Sequence, residues 1–96
     1  MVQGIRVHPT DAVATVISTV RAGDCIIFSD TETDADGVVT ATEDIPQYHK
    51  VALMLIPKGG IVRKYGEVIG VATQEIQPGQ WVHVHNLASP APGKEG

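Results

Sequence analysis

Cysteine is nearly absent from this sequence. Cys25 stands alone, so no disulfide can form within the chain and nothing indicates an oxidising compartment. Aromatic residues are scarce as well, with one Trp, one Phe and two Tyr in 96 residues. No run of basic residues occurs and the net charge is -4, which argues against nucleic acid or an anionic membrane as the main partner. No apolar run approaches membrane-spanning length. The first residues carry Gln3 and Arg6 and are too short a stretch for the hydrophobic region of a signal peptide. These absences leave a soluble, cytoplasmic, single-domain protein as the expectation, with a core only marginally sufficient for its size.

What is present is Val and Ile, which favour strands. Residues 2–8 read as a first strand. Residues 9–20 read as one helix, because Val13, Val16, Ile17 and Val20 fall at i, i+3, i+4 and i+7. Thr10 or Asp11 would cap its start and Gly23 would end it. Short strands follow over residues 25–28, 38–42, 51–56, 61–63, 67–72 and 81–85, with Asp36-Gly37 as a turn pair. Residues 31–36 form an acidic segment that lacks the glycine and closing glutamate of a calcium loop and reads as a solvated loop. Three segments, 22–26, 58–62 and 78–82, each place a glycine turn directly before a strand. The predicted class is α+β, mostly β, with short bent strands and one N-terminal helix. Residues 1–87 would be the domain and residues 88–96, rich in Pro and Gly, a flexible tail or linker.

The chemistry-bearing residues cluster late in the chain. His83 and His85 would share one face of a strand, with Asn86 just beyond. Such a pair can ligate a metal, or can be surface or hydrogen-bonded histidines. The sequence offers no tidy third ligand, and His8, His49 and Asp11 join only if the fold gathers them. His49 and Lys50 open an apolar strand, where a rigid scaffold often presents functional groups; the plainer reading is a solvated strand start. Lys64, Tyr65 and Gly66 offer an ammonium, a phenol and an approachable backbone to a carboxylate or hydroxyl ligand, or form an ordinary polar turn. Cys25 reads as a small buried hydrophobe.

Taken together, these fragments resemble a known family. His8-Pro9 with Asp11, His49-Lys50-Val51-Ala52-Leu53, Lys64-Tyr65-Gly66 with Ile69-Gly70 and Ala72-Thr73, and Gly79 with Val82-His83 and His85-Asn86 are similar to the small SAF-type domain of the altronate and galactarate dehydratases. The likeness runs from about His8 to Leu87. Two departures stand out: Asp11-Ala12 replaces the family's Asp-Asn, and Tyr48 replaces a glycine before the His-Lys pair.

The resemblance implies a β-clip fold. It implies a lyase context, either dehydration of a sugar acid to a 2-keto-3-deoxy acid or sulfite elimination by a sulfolactate sulfo-lyase. It also implies a divalent metal, iron or manganese, shared with a large catalytic partner subunit or domain. In this reading His49, His83 and His85 are catalytic, and His83 and His85 are also candidate metal ligands. Lys50, Lys64, Tyr65, Gly66 and Asn86 hold the hydroxy-acid. The chain would be a small subunit or an N-terminal domain, inactive alone. The competing expectations are a non-enzymatic carbohydrate-binding or assembly module, and a homo-oligomer that covers its open strand edges.

Overall fold

Val, Ile and Thr dominate the segments that become regular structure, and β-branched side chains pack well on a pleated surface. The computed structural model describes residues 2–8, 10–30 and 36–89. Among them are nine short strands: β1 (Val2–Arg6), β2 (Val13–Val16), β3 (Cys25–Asp30), β4 (Asp36–Thr40), β5 (Lys50–Ala52), β6 (Ile61–Lys64), β7 (Glu67–Ala72), β8 (Trp81–Val82) and β9 (Leu87–Ala88). A six-stranded sheet runs β4-β3-β1-β2-β5-β8 and a three-stranded sheet runs β6-β7-β9. The β1–β3 pair is parallel and the other pairs are antiparallel. Arg6, held in an ion pair by the buried Asp30, ties the end of β1 to the end of β3.

The expected N-terminal helix is not there, and the α+β class gives way to an all-β fold among the described residues. The four-residue strand β2 occupies the centre of the predicted helix. It lies between β1 and β5, and Val13, Ala14 and Val16 are all buried. A strand covered on both faces has no polar alternation, so its apolar positions also satisfy helical spacing. The β-branched residues around it settle the choice toward extended backbone. Asp11 caps no helix, and Gly23 sits in a turn with φ of 94°. Three other strands are shorter than expected, with β1 stopping at Arg6, β5 at Ala52 and β8 at Val82, and Asp36-Gly37 opens β4 instead of forming a turn. The acidic segment over residues 31–35 and the tail over residues 90–96 lie outside the described residues.

The three glycine turns share their geometry with a fourth, which carries Tyr48 in place of the glycine. Residues 20–26, 45–51, 56–62 and 76–82 each form the same corner. In each, the fifth residue's N–H donates to the second residue's carbonyl: Asp24 to Arg21, His49 to Pro46, Gly60 to Pro57 and Gln80 to Gln77, at 2.8–3.1 Å. The fourth residue has positive φ in every case, at Gly23 (94°), Tyr48 (68°), Gly59 (85°) and Gly79 (90°). That is the pattern of a type II turn. The first and seventh residues, Val20 and Ile26, Ile45 and Val51, Ile56 and Val62, Ile76 and Val82, are all buried.

The corners pair two by two. Val20 and Ile45 exchange backbone hydrogen bonds, as do Ile56 and Ile76, all at 2.8–2.9 Å. Each pair anchors its own hydrophobic cluster. Val20, Ile26, Ile45 and Val51 belong to one, and Ile56, Val62, Ile76 and Val82 to the other. The second corner therefore belongs to one half of the core and the fourth to the other. They meet where β5 pairs with β8, Lys50 opposite Val82 and Val51 opposite Trp81.

Candidate functional site

The β5–β8 junction brings His49 and Lys50 against the segment that follows Trp81. One position beyond the paired residues, the His49 and His83 rings stand 4.7 Å apart between centroids. Trp81 lies among the imidazoles: 5.6 Å from His49, 5.5 Å from His83 with near-parallel planes, and 5.0 Å from His85. Its indole Nε1–H donates to His49 Nδ1 at 3.1 Å. Its backbone is fixed on both sides, with its N–H donating to Glu43 at 3.0 Å and its carbonyl accepting from Asn86 Nδ2 at 2.8 Å.

His83 and His85 do not lie on a strand. Residues 83–86 form a turn in which the Asn86 N–H donates to the His83 carbonyl at 3.1 Å. The His83 N–H donates back to Asn86 Oδ1 at 3.0 Å. Asn86 is buried, and its carboxamide is bonded at both ends to the backbone that leads into the turn, at Trp81 and His83. It shapes the loop that carries the two histidines, and both rings still reach Trp81.

Lys50 is half-buried beside His83. Together with Ile69, Val84 and Leu87 these two residues line an open pocket of about 230 Å³. Burial, and secondarily the charge of Lys64, lower the Lys50 pKa from its ordinary value. His83 is lowered too, first by desolvation and then by the charges of His49, Lys50 and His85. Among the described residues neither Lys50 nor His83 forms an ion pair. The site sets the Lys50 ammonium and the His83 imidazole against an apolar wall.

Lys64 and its turn are built differently. Tyr65 (φ 57°) and Gly66 (φ 77°) are the two central residues of the hairpin between β6 and β7, with Lys64 opposite Glu67. Positive φ at both positions marks a type I′ turn. Their backbone N–H groups both donate to the carboxylate of Asp11, each at 2.8 Å, and Asp11 is 1% exposed. The His8 N–H adds a third bond to Asp11 at 3.2 Å. The Gly66 N–H is thus engaged by the protein itself. The Tyr65 ring is exposed and carries the Lys64 ammonium 4.8 Å from its centroid. Asp11 is committed to this clamp rather than to a metal.

A metal held by this chain alone does not fit the donor set. Among the described residues no three His, Cys, Asp or Glu side chains gather to hold one. His49 Nδ1 is already bonded to Trp81, and the Lys50 ammonium opposes a second cation beside His83. Two contributors escaped the sequence reading: Trp81, and Asp11 as a clamp. Tyr48, noted in the sequence as standing where glycine is expected, is the fourth residue of a corner whose other three copies carry glycine there.

Comparison with known proteins adds an independent line. A family model described as the altronate/galactarate dehydratase SAF domain matches residues 2–90. A galactarate dehydratase (L-threo-forming) from Escherichia coli is 41% identical over 80 residues, covering 81% of this chain but 14% of that enzyme. An altronate dehydratase from the same species is 39% identical over 85 residues, covering 88% of this chain and 16% of that enzyme. The alpha subunit of a (2R)-sulfolactate sulfo-lyase from Paracoccus pantotrophus is 42% identical over 62 residues, covering 65% of this chain and 88% of that subunit. The chain thus spans about one-seventh of the two dehydratases and nearly the whole of the sulfo-lyase subunit.

Proposed function

The chain belongs to the altronate/galactarate dehydratase SAF-domain family, and on that premise we propose that it is the anion-binding accessory part of a hydroxy-acid lyase. Its partner would be a large catalytic subunit or domain that supplies the rest of the active site. The observation that carries this reading is the Lys50 ammonium, half-buried at the pocket beside His83 and in no ion pair among the described residues, with Lys64 close enough to lower its pKa further. Burying an ammonium without an acidic neighbour is unfavourable unless a ligand brings the opposite charge. A carboxylate supplies that charge together with acceptors for the surrounding donors.

Elimination of water or sulfite from the carbon β to a carboxylate begins with loss of the proton on the α carbon. Lys50 would hold the carboxylate and offset the negative charge that develops on it. His83, whose pKa is lowered first by desolvation and then by the charges around it, is suited to holding a proton in transit. The open pocket leaves the remainder of the ligand, and any divalent metal, to the partner. The chain alone would then bind an acid weakly and turn none over.

Titration of the nitrogen-15-labelled chain with galactarate, followed by amide chemical shifts, tests this. Perturbations should centre on residues 49–51 and 82–88 and disappear in Lys50→Ala. Shifts scattered over the surface, or retained in that variant, would sink the reading. Purification of the tagged chain from its own cells should bring down a large dehydratase-like partner in equal amount.

A further inference from the structure

The contact between Trp81 and His49 constrains a proton as well as a position. An indole N–H can only donate, so His49 Nδ1 must accept and carries no hydrogen while the 3.1 Å bond holds. A neutral imidazole with a bare Nδ1 has its proton on Nε2. The more common partner for Nδ1 is a carbonyl or carboxylate, which accepts and selects the opposite tautomer. The indole cannot swing away readily, because Glu43 and Asn86 fix the Trp81 backbone and the His83 ring stacks on its face. Among the described residues His49 Nε2 has no protein partner, and the next residue along is Lys50.

We propose that Trp81 is a positioning residue that locks His49 in the Nε2–H tautomer, so that His49 meets a bound oxyanion as a hydrogen-bond donor beside the Lys50 ammonium. His49 is then no general base: its only lone pair is committed to the indole. Both groups select a ligand terminus that only accepts, as a carboxylate or sulfonate does, over a neutral hydroxyl or amine. Proton transfer falls to His83 or to the partner. The inference rests on the oxyanion reading above, but the tautomer itself does not depend on any ligand.

The test is long-range proton–nitrogen correlation of the histidine rings in the labelled full chain, first without ligand. The expected result is a His49 proton on Nε2, with a through-hydrogen-bond coupling between Trp81 Nε1 and His49 Nδ1. Trp81→Phe keeps a planar ring and removes the donor. It should release His49 into a mixture of tautomers and weaken binding of glycolate, the smallest 2-hydroxy acid, about threefold to tenfold, the worth of one hydrogen bond. A wild-type proton on Nδ1, or an unchanged tautomer in Trp81→Phe, overturns the proposal. Should that variant fail to fold, the wild-type correlation and coupling still decide. An Nε2–H tautomer in a chain that does not bind glycolate supports the lock and overturns the oxyanion reading alone.

Discussion

Replacing Tyr48 with glycine should stabilise this protein. Tyr48 has φ of 68° and is 69% exposed, so it pays little packing back for its backbone conformation. The left-handed region costs an L-residue about 1–2 kcal/mol. Glycine avoids that and gives up roughly 0.5–1 kcal/mol through greater freedom in the unfolded chain. The net gain is about 0.5–1 kcal/mol, or on the order of 3–6 °C in midpoint for a domain of this size. The same protein contains the controls. Gly23 and Gly59 hold the equivalent corner position, with φ of 94° and 85°, and an added Cβ meets nothing within 4 Å at either. Gly23→Ala and Gly59→Ala should therefore lose about what Tyr48→Gly gains, since strain is the only difference. Urea titrations followed by Trp81 fluorescence measure all three. If Tyr48→Gly is destabilised while the two alanine variants lose stability as expected, the Tyr48 side chain contributes packing and the strain argument is wrong.

Gly79→Ala tests a different limit of the same corner: its Cβ would lie 2.1 Å from the Thr40 carbonyl oxygen, so a loss of about 3 kcal/mol or more is expected in the same titration. Asp11→Ala strands three backbone donors at a buried position and should cost about 3–5 kcal/mol, with faster amide exchange at Tyr65 and Gly66 as the local readout. Unchanged exchange at those two amides would refute the clamp. Lys50→Met should raise the urea midpoint near neutral pH and abolish galactarate binding. Because the folded state lowers the Lys50 pKa, the unfolded chain holds more protons between that lowered value and the ordinary one. Wild-type stability should gain from Lys50 as pH rises through that window, and Lys50→Met should lack the gain.

Much of the strand content was legible because its periodicity is local. β3 was visible as the apolar run from Cys25 to Phe28, although its alternation of half-buried and buried residues on to Asp30 is not written in residue type. β2 was misread because burial on both faces erases the alternation that distinguishes a strand from a helix. The identity of His49, Lys50, His83 and His85 as chemistry-bearing residues was visible, and so was their likeness to a family. Their mutual placement was not, since it depends on the β5–β8 pairing of corners about thirty residues apart. Residues 83–86 read as strand because one buried carboxamide, Asn86, bends them, and a single asparagine carries no such signal in a linear pattern. The Asp11 clamp joins positions 54 and 55 residues apart and could not be inferred from spacing.

Because four seven-residue corners share one backbone geometry, a saturation-mutagenesis scan of this chain should trace one tolerance profile four times. Apolar side chains would be demanded at the first and seventh positions of residues 20–26, 45–51, 56–62 and 76–82. Glycine would be favoured at the fourth in every copy, including the one that natively holds tyrosine. The copies would diverge only at the fifth and sixth positions, where the second reads His49-Lys50 and the fourth Gln80-Trp81. Selection for ligand chemistry would then be separable from selection for folding by comparing the chain with itself, position by position, without any relative.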